Sequence, residues 1–307
     1  MKTLKTFYYK IALAAFRYRH IRLLMPDKMA LQLQWMKNFG TELDLRHPKT
    51  FNEKLQWLKL YDRNPLYTTL VDKYRVKQWV ADKIGEEYVI PTLAVYQSVD
   101  EIDLDKLPNQ FVLKCNHDSG SVVICRDKAT FDLEAAKAKL QKGLRRNFYL
   151  QSREWPYKNV KRCILAEKYL KSIDNSGIPD YKFFTFDGVA KALFIATGRQ
   201  NQNEETRFDF FDMTFKHLEV TNGHPNAAVL PSQPTCFHEM QSLVEKLSQG
   251  IPHVRVDFYE VDGKAYFGEM TFAHWGGFVP FNPNDFDKTM GEWIKLPGGK
   301  NLRGGGD

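Results

Sequence analysis

The chain has 307 residues, of which 43% are hydrophobic and 26% charged, and its 22 Phe and 14 Tyr exclude a disordered protein. The formal net charge of +7 suits a nucleotide, an acidic sugar, a nucleic acid or an anionic membrane, but it does not choose among them. The four cysteines have no Cys-x-x-Cys spacing, which excludes a disulfide framework and indicates reduced thiols in a cytoplasmic protein.

The first 70 residues are predicted to form a helical region. Apolar residues recur at helical spacing over 28–39 and 52–61. Thr50, with Glu53 three residues later, is typical of a capping box at the start of the second helix. A further helix is expected over about 70–84.

The segment 7–24 mixes aromatic, aliphatic and basic residues. It contains no apolar run of about 18 residues, so we predict no transmembrane helix, and it lacks the pattern of a signal peptide. Two interpretations stay open: a helix packed on its own domain, and a helix lying on an anionic membrane surface. The second would place the protein at the inner face of the membrane.

Strands predominate after residue 91. They are predicted over 111–114, 122–125, 163–170, 181–186, 190–197 and 208–212, with helices over 132–145 and 237–249. The pair Asp262-Gly263 separates two alternating segments and predicts a closing hairpin of 253–261 with 264–271. Runs of strands with few helices indicate the α+β class.

The closing hairpin contains the most specific candidate site. Alternate residues of a strand share a face, so Arg255 and Asp257 point the same way, as do Glu269 and Thr271 on the return strand. We expect the carboxylates of Asp257 and Glu269 to converge. Two carboxylates beside oxygen donors suit Mg²⁺ that also binds phosphate. The alternative is a surface hairpin with scattered charges.

A second candidate is the strand that ends in Lys114 and leads into Ser119-Gly120-Ser121. Such a strand and loop can place an ammonium on a phosphate and cover it with backbone N–H groups. The spacing of a Walker A loop is absent, and a plain hairpin is the alternative. Lys182 is a third candidate, because a basic residue among buried aromatics usually has an anion nearby.

The order of these features along the chain resembles the ATP-grasp superfamily over about residues 73–283. The segments 48–54, 71–74 and 267–272 further resemble its TupA-like branch, which is associated with teichuronopeptide and other cell-surface polysaccharide biosynthesis. The resemblance implies an ATP-grasp fold, in which two α+β subdomains clasp ATP. The implied domains are a helical region (1–70), a first subdomain with phosphate-binding lysines and a lid loop (71–170), a second subdomain with the metal-binding hairpin (171–296) and a flexible tail (297–307).

The resemblance also implies ATP and Mg²⁺ as cofactors and assigns roles to individual residues. The implied ATP contacts are Lys73, Lys114, the lid residues Ser119, Gly120 and Ser121, the adenine-reading stretch Glu167, Lys168, Tyr169 and Leu170, and Lys182. The implied catalytic residues are Arg255 near the γ-phosphate, Lys182 near ribose or phosphate, and Arg199 beside the reacting acyl group. The implied metal ligands are Asp257, Glu269 and Thr271, the last standing where many superfamily members have Asn. Gly276 and Gly277 are implied to present N–H groups to the substrate.

These parts favour an ATP-dependent ligase that joins a carboxylate to an amine through an acylphosphate. The expected partners are a small molecule or glycan precursor with an acidic sugar, and an amino acid or other amine, with no nucleic acid.

Two other classes stay open. A glycosyltransferase typically needs a strand-end Asp-x-Asp pair, whereas Asp103-Leu104-Asp105 is expected in a turn or helix start. A basic module that binds an anionic polymer would need clustered basic residues, which the sequence lacks.

Overall fold

A computed structural model of the chain describes residues 19–171, 178–198 and 205–298. Within these ranges the α-helices are α1 (Arg19–Leu24), α2 (Asp27–Phe39), α3 (Phe51–Tyr61), α4 (Leu66–Val71), α5 (Arg75–Ile84), α6 (Leu133–Arg145), α7 (Tyr149–Ser152), α8 (Phe237–Leu247) and α9 (Asp285–Trp293). The strands are β1 (Thr92–Tyr96), β2 (Phe111–Cys115), β3 (Val122–Cys125), β4 (Ile164–Lys168), β5 (Asp180–Phe186), β6 (Val189–Thr197), β7 (Arg207–Asp212), β8 (His217–Leu218), β9 (Val254–Val261) and β10 (Lys264–Thr271).

The strands form two antiparallel sheets. One has four strands in the order β1-β4-β2-β3, and the other has six in the order β10-β9-β5-β6-β7-β8. Neither sheet is built from β-α-β crossovers, which confirms the predicted α+β class. The predicted domain boundaries remain a prediction, although the first sheet draws on residues 92–168 and the second on residues 180–271.

The six-stranded sheet is covered on both faces, and β5 is buried along its whole length. Phe183 faces a core that includes Met240 of α8, while its neighbour Phe184 faces a second core with Phe51 of α3 and Met290 of α9. Alternate residues of one strand therefore enter different cores. A third core lies under the four-stranded sheet.

The predicted capping box is confirmed at the start of α3. The Thr50 hydroxyl accepts the Glu53 N–H at 3.2 Å, and the Glu53 carboxylate accepts the Thr50 N–H at 3.0 Å. These bonds satisfy amide groups that a helix start leaves unpaired. They fix the helix whose apolar side, with Leu55 and Leu58, packs into the second core.

The prediction of one helix over 70–84 is wrong, because α4 and α5 are separated at 72–74. The Asp72 carboxylate accepts the N–H groups of Tyr74 at 2.9 Å and Arg75 at 3.3 Å, which starts a new helix. The N–H of Lys73 donates instead to the carbonyl of Asn116 at 3.0 Å. The break ties Lys73 to the loop that follows β2.

Four elements after residue 91 were not predicted, namely β1, α7, β8 and α9. The strand expected over 163–170 is shorter, as β4 shows. Residues 7–18 of the segment considered for membrane contact lie outside the described residues. Among the described helices, none has the length and apolar character needed to cross a membrane.

Gly291 of α9 provides a test of the contact between α9 and α3. A Cβ at this position would lie 2.2 Å from the Lys49 carbonyl oxygen and 2.8 Å from the Phe51 nitrogen. Gly→Ala within a helix ordinarily stabilises by about 1 kcal/mol. Here we expect Gly291→Ala to lower the free energy of unfolding by about 2 kcal/mol because the helix must move. Chemical denaturation measures the change.

The control for that test is Gly298→Ala, since nothing lies within 4 Å of a Cβ at Gly298. It should change the free energy of unfolding by less than about 0.5 kcal/mol. A Gly291→Ala variant as stable as the wild type would contradict the close approach of the two helices.

Candidate active site

A cavity of about 1000 Å³ is lined by residues of the six-stranded sheet, of the loop that follows β2, and of the N-terminal helices. Residues of the second sheet that line it include Lys182, Arg255, Glu269 and Thr271. Lys73, Asp118 and Ser119 come from the side of the first sheet, and α2 contributes Gln34, Lys37 and Asn38. The cavity therefore contains much of the predicted site.

The hairpin of β9 and β10 brings Glu269 opposite Asp257, as predicted. Pairing is regular from the turn to Phe267, and a bulge then places Glu269 rather than Gly268 at the register position of Asp257. Phe267 and Met270, which are three residues apart, both enter the core beneath. The bulge thus keeps the apolar face of β10 buried while it turns Glu269 to the site.

Arg255 is the centre of a buried network of charges. Its Nε donates to Asp257 Oδ1 at 2.7 Å, and its Nη2 donates to Asp257 Oδ2 at 2.8 Å. The same Nη2 donates to Glu269 at 3.2 Å and to the Thr271 hydroxyl at 3.0 Å. Burial disfavours the charged guanidinium, but Asp257 and Glu269 outweigh burial and raise the pKa of Arg255 above its ordinary value.

Lys182 lies beside this network on β5. Its ammonium donates to Asp257 Oδ2, and Asp180 Oδ2 lies 3.4 Å away. The Asp257 side chain is only 1% exposed and accepts from both Lys182 and Arg255. Asp180 and Lys182 therefore lie on one face of β5, and the two cations Lys182 and Arg255 share one buried carboxylate.

Lys73 connects the two halves of the cavity. Its ammonium donates to the Asp118 carbonyl at 2.9 Å and lies 3.3 Å from Glu269 Oε2. Burial favours the neutral form of Glu269, but Lys73, Lys182 and Arg255 outweigh burial and hold its pKa well below the usual range. Glu269 is thus a carboxylate at any physiological pH.

The loop predicted as a lid is anchored at its base. Ser121 donates to Asp118 Oδ2 at 2.6 Å, and Arg146 donates to the same oxygen at 3.2 Å and to the Ser119 carbonyl at 2.9 Å. Ser119 lines the cavity, whereas Ser121 is buried. Gly120 has φ 92° and lies between them. Asp118 and Arg146 were missed, since only tertiary structure brings them together.

Lys114 lies apart from the cavity wall. Its ammonium is 2.5 Å from Glu167 Oε2, and Lys77 is 2.6 Å from the other oxygen of Glu167. Burial favours the neutral form of Glu167, but the two lysines outweigh burial and lower its pKa.

The rest of the predicted adenine-reading stretch lies close by, at the end of β4. Lys168 ends the strand, Tyr169 and Leu170 follow it, and the Lys168 N–H donates to the Pro91 carbonyl at 3.0 Å. These residues and Lys114 form a group separate from the cavity, and their contacts with ATP remain a prediction. Arg199 lies outside the described residues.

His274 is held in a defined tautomer. Burial and the charges of Arg255 and Lys182 lower the pKa of His274 well below its ordinary value, so the ring is neutral. Arg255 Nη1 lies 2.8 Å from His274 Nδ1, which must accept, and His274 Nε2 then donates to Asn222 Oδ1 at 2.8 Å. The histidine positions Arg255 through these bonds.

Glu154 and Tyr157 also line the cavity, although no sequence motif indicates them. Burial raises the pKa of Glu154, while Lys59 of α3 opposes this, and burial also raises the pKa of Tyr157. Ser152 donates to Glu154 at 2.5 Å. In the sequence these residues belong to an aromatic-rich segment that is indistinguishable from ordinary core.

The predicted metal ligands differ in their access to the cavity. Glu269, whose side chain is 33% exposed, and Thr271 present a carboxylate and a hydroxyl oxygen, which suit Mg²⁺. Asp257 lies behind them with both oxygens held by cations. The residues fit a metal held at Glu269 and Thr271 and completed by phosphate oxygens. Within the described ranges, no group of three or more His, Cys, Asp or Glu side chains forms a metal site by itself.

The cavity combines cations and a carboxylate of the six-stranded sheet with Lys73 and with Asp118 from the loop after β2. A family model described as TupA-like ATPgrasp matches residues 53–295, and the chain belongs to that family. The predicted resemblance is therefore confirmed. A search of curated proteins found no match.

Solved structures of similar fold have low identity to the chain. One is the ATP-grasp ligase PsnB complexed with minimal precursor, Mg and ADP, at 10% identity and a TM-score of 0.40, with 74% of this chain and 60% of that chain covered. Another is D-alanine–D-alanine ligase from Helicobacter pylori, at 14% identity and a TM-score of 0.46, with 80% of this chain and 69% of that chain covered. A third is a RimK domain ATP-grasp protein from Sphaerobacter thermophilus, at 12% identity and a TM-score of 0.42, with 76% of this chain and 70% of that chain covered. The chain spans less than two thirds of PsnB, and likenesses at this level do not indicate what it binds.

The network around Asp257 predicts an unequal cost for two isosteric changes. Asp257→Asn would leave Arg255 and Lys182 buried without their shared carboxylate, so we expect it to destabilise the fold by about 3 kcal/mol. Glu269→Gln, at the cavity surface, should cost about 1 kcal/mol. Chemical denaturation of both variants measures the difference. Lys182→Met should partly restore the Asp257→Asn variant; equal costs for the two single changes would contradict the described burial.

Proposed function

We propose that this chain joins a carboxylate to an amine in an ATP-dependent reaction that passes through an acylphosphate. The observation that supports this most directly is the convergence of Lys73, Lys182 and Arg255 with Glu269 on one cavity. Phosphoryl transfer needs positioned positive charge more than it needs a nucleophilic side chain. Family membership supplies the ATP-grasp class in which such sites occur.

We assign separate roles in nucleotide binding and phosphoryl transfer to the residues of the cavity. Lys73 and Arg255 would neutralise charge on the transferring phosphoryl group, and Lys182 would bind ribose or phosphate. Glu269 and Thr271 would hold Mg²⁺, which would supply positive charge beside the phosphates. Asp257 holds Arg255 and Lys182 in place. This proposal also includes the ATP-binding and acyl-binding roles that the resemblance implies for Lys114, Ser119, Gly120, Ser121, Arg199 and the stretch 167–170.

Two bond exchanges complete the reaction. A substrate carboxylate oxygen attacks the γ-phosphorus, the bond to the bridging oxygen of ADP breaks, and ADP leaves. The nitrogen of a neutral amine then attacks the acyl carbon, phosphate leaves, and the surplus proton passes to solvent. Pre-positioned cations lower both barriers because they meet developing charge without reorganisation.

We further propose that the acid is an acidic sugar of a cell-surface polysaccharide precursor and that the amine is an amino acid or similar compound. The association of the TupA-like branch with such polysaccharides supports this choice. The same proposal places the enzyme in the cytoplasm, where ATP is available, and includes no nucleic acid.

The glycosyltransferase alternative has little support in the structure. Asp103 caps the short 3₁₀ turn of residues 104–106, where its carboxylate accepts the Asp105 N–H at 3.0 Å and lies 3.2 Å from Lys106. Neither aspartate lines the cavity. The pair is therefore accounted for by the turn that the sequence predicts.

Calorimetry of ATP binding tests the nucleotide site. We expect the wild type to bind ATP more tightly with Mg²⁺ than without it. Glu269→Gln should weaken the Mg²⁺-dependent affinity about tenfold, because a charged ligand is lost, and should change the Mg²⁺-free affinity little. Glu292→Gln, an equal change of charge on the exposed side of α9, is the control. Binding of a nucleotide sugar but not ATP would contradict the ligase and favour the glycosyltransferase.

Hydroxylamine trapping tests the acylphosphate. With ATP, Mg²⁺, hydroxylamine and D-galacturonic or D-glucuronic acid, the wild type should release ADP and form a hydroxamate in equal amounts. D-Galactose and D-glucose, which lack the carboxylate, are the matched controls. Arg255→Lys should reduce the rate about 100-fold, since lysine cannot form the bidentate contact with both oxygens of Asp257. ADP release without hydroxamate, from any acid tested, would contradict the acylphosphate.

A further inference from the structure

The turn after β10 has a backbone conformation that tryptophan rarely adopts. Trp275 has φ 51° and ψ 25°, and Gly276 (φ 62°) and Gly277 (φ 66°) continue in the same left-handed region. A residue with a Cβ is strained there, and such strain persists only where the surroundings impose it, most often at functional sites. The place of Trp275 is therefore set by the turn.

Helix α3 fixes this turn. Gln56 Nε2 donates to the Gly277 carbonyl at 2.8 Å and to the Gly276 carbonyl at 3.2 Å, and Lys59 donates to the Gly276 carbonyl at 2.5 Å. A Cβ on Gly277 would lie 2.4 Å from Gln56 Nε2, and one on Gly276 would lie 2.8 Å from Ser152 Cβ. Neither glycine has room for a side chain, so the turn has little freedom to move.

The Trp275 ring is held by its neighbours yet stays open to the cavity. Its side chain is 44% exposed and lines the cavity. A Cβ on Gly223 would lie 3.2 Å from Trp275 Nε1, so the ring packs directly on that backbone. Phe208 is stacked at 6.1 Å and His224 lies at 5.8 Å. A fixed, half-exposed aromatic ring is a platform for a ligand ring that has an apolar face.

The residues around Trp275 indicate which kind of ligand ring fits this platform. The preceding residue, His274, contacts Arg255, so the platform adjoins the charged network. The same cavity is lined by the amides of Gln34 and Asn38 and by Lys37, which is exposed and forms no ion pair with any described residue. An apolar face, hydrogen-bonding groups and cations together match a pyranose ring that carries hydroxyls and a carboxylate.

We propose that Trp275 is the platform on which the sugar ring bearing the reacting carboxylate stacks, with that carboxylate directed toward Arg255. The inference rests on the proposed ligase function and adds the substrate-binding surface to it. Adenine is the other ring that could stack on Trp275. The resemblance assigns adenine to residues 167–170, and none of these lines this cavity. The C–H groups of one pyranose face would pack on the indole, and the amides of α2 would bind its hydroxyls.

Calorimetric titration of the nucleotide-free, full-length chain with tri-D-galacturonic acid tests this proposal. We expect Trp275→Ala to weaken binding at least about tenfold, and Trp275→Phe, which keeps an aromatic face, to weaken it less than about threefold. Tyr74→Ala is the matched control, because Tyr74 is 45% exposed but does not line the cavity. Tri-L-glutamic acid, which has three side-chain carboxylates but no ring, should bind independently of Trp275.

Three results would overturn the proposal: no binding of the trisaccharide to the wild type, equal binding to Trp275→Ala, or the same dependence on Trp275 for tri-L-glutamic acid. ATP affinity, measured on the same preparations, shows whether each variant is folded. It also separates the two proposals, since a chain that binds ATP but not the sugar contradicts only the platform. A chain that binds the sugar through Trp275 but not ATP contradicts the ligase.

Discussion

The bidentate salt bridge between Arg255 and Asp257 is the interaction on which the rest of the site depends. A guanidinium buried in a sheet is tolerated only when its charge is matched and its N–H groups are paired, and Asp257 meets both conditions. Lys182 shares that carboxylate, and Glu269 and Thr271 complete the partners of Arg255. The protein's own carboxylates therefore hold these cations in fixed positions, which is the arrangement that the proposed electrostatic catalysis requires.

Local patterns made part of this architecture predictable. The capping box at Thr50 and the hairpin around Asp262-Gly263 depend on residues a few positions apart, so the sequence alone predicted both. The register of the hairpin required more. Strict alternate pairing from the turn would set Gly268 opposite Asp257, and only the bulge brings Glu269 there. The pairing of Glu269 with Asp257 agrees with the prediction, but it depends on a bulge that strict alternation does not predict.

Other features depend on contacts between distant segments and leave no local trace. The helix expected over 70–84 is interrupted because Asp72 binds the amides that follow it, while Asn116, 43 positions after Lys73, takes the Lys73 N–H. The contact of Lys114 with phosphate remains a prediction, and the ion pair of Lys114 with Glu167 was not predicted. Periodicity reports which face of an element is apolar, and it does not report which partner a polar side chain will choose.

The hydrogen bonds between α3 and the turn at 274–277 have a consequence for local unfolding. Burial lowers the pKa of Lys59, whose ammonium binds the Gly276 carbonyl beside Gln56. Partial separation of the helix from the turn would leave an ammonium, an amide and two carbonyls buried without partners, which is costly. The helix and the turn therefore form one cooperative unit. In native-state hydrogen exchange, the amides of the turn would open with those of α3, over 200 residues earlier in the chain, and not with the adjoining strand β10.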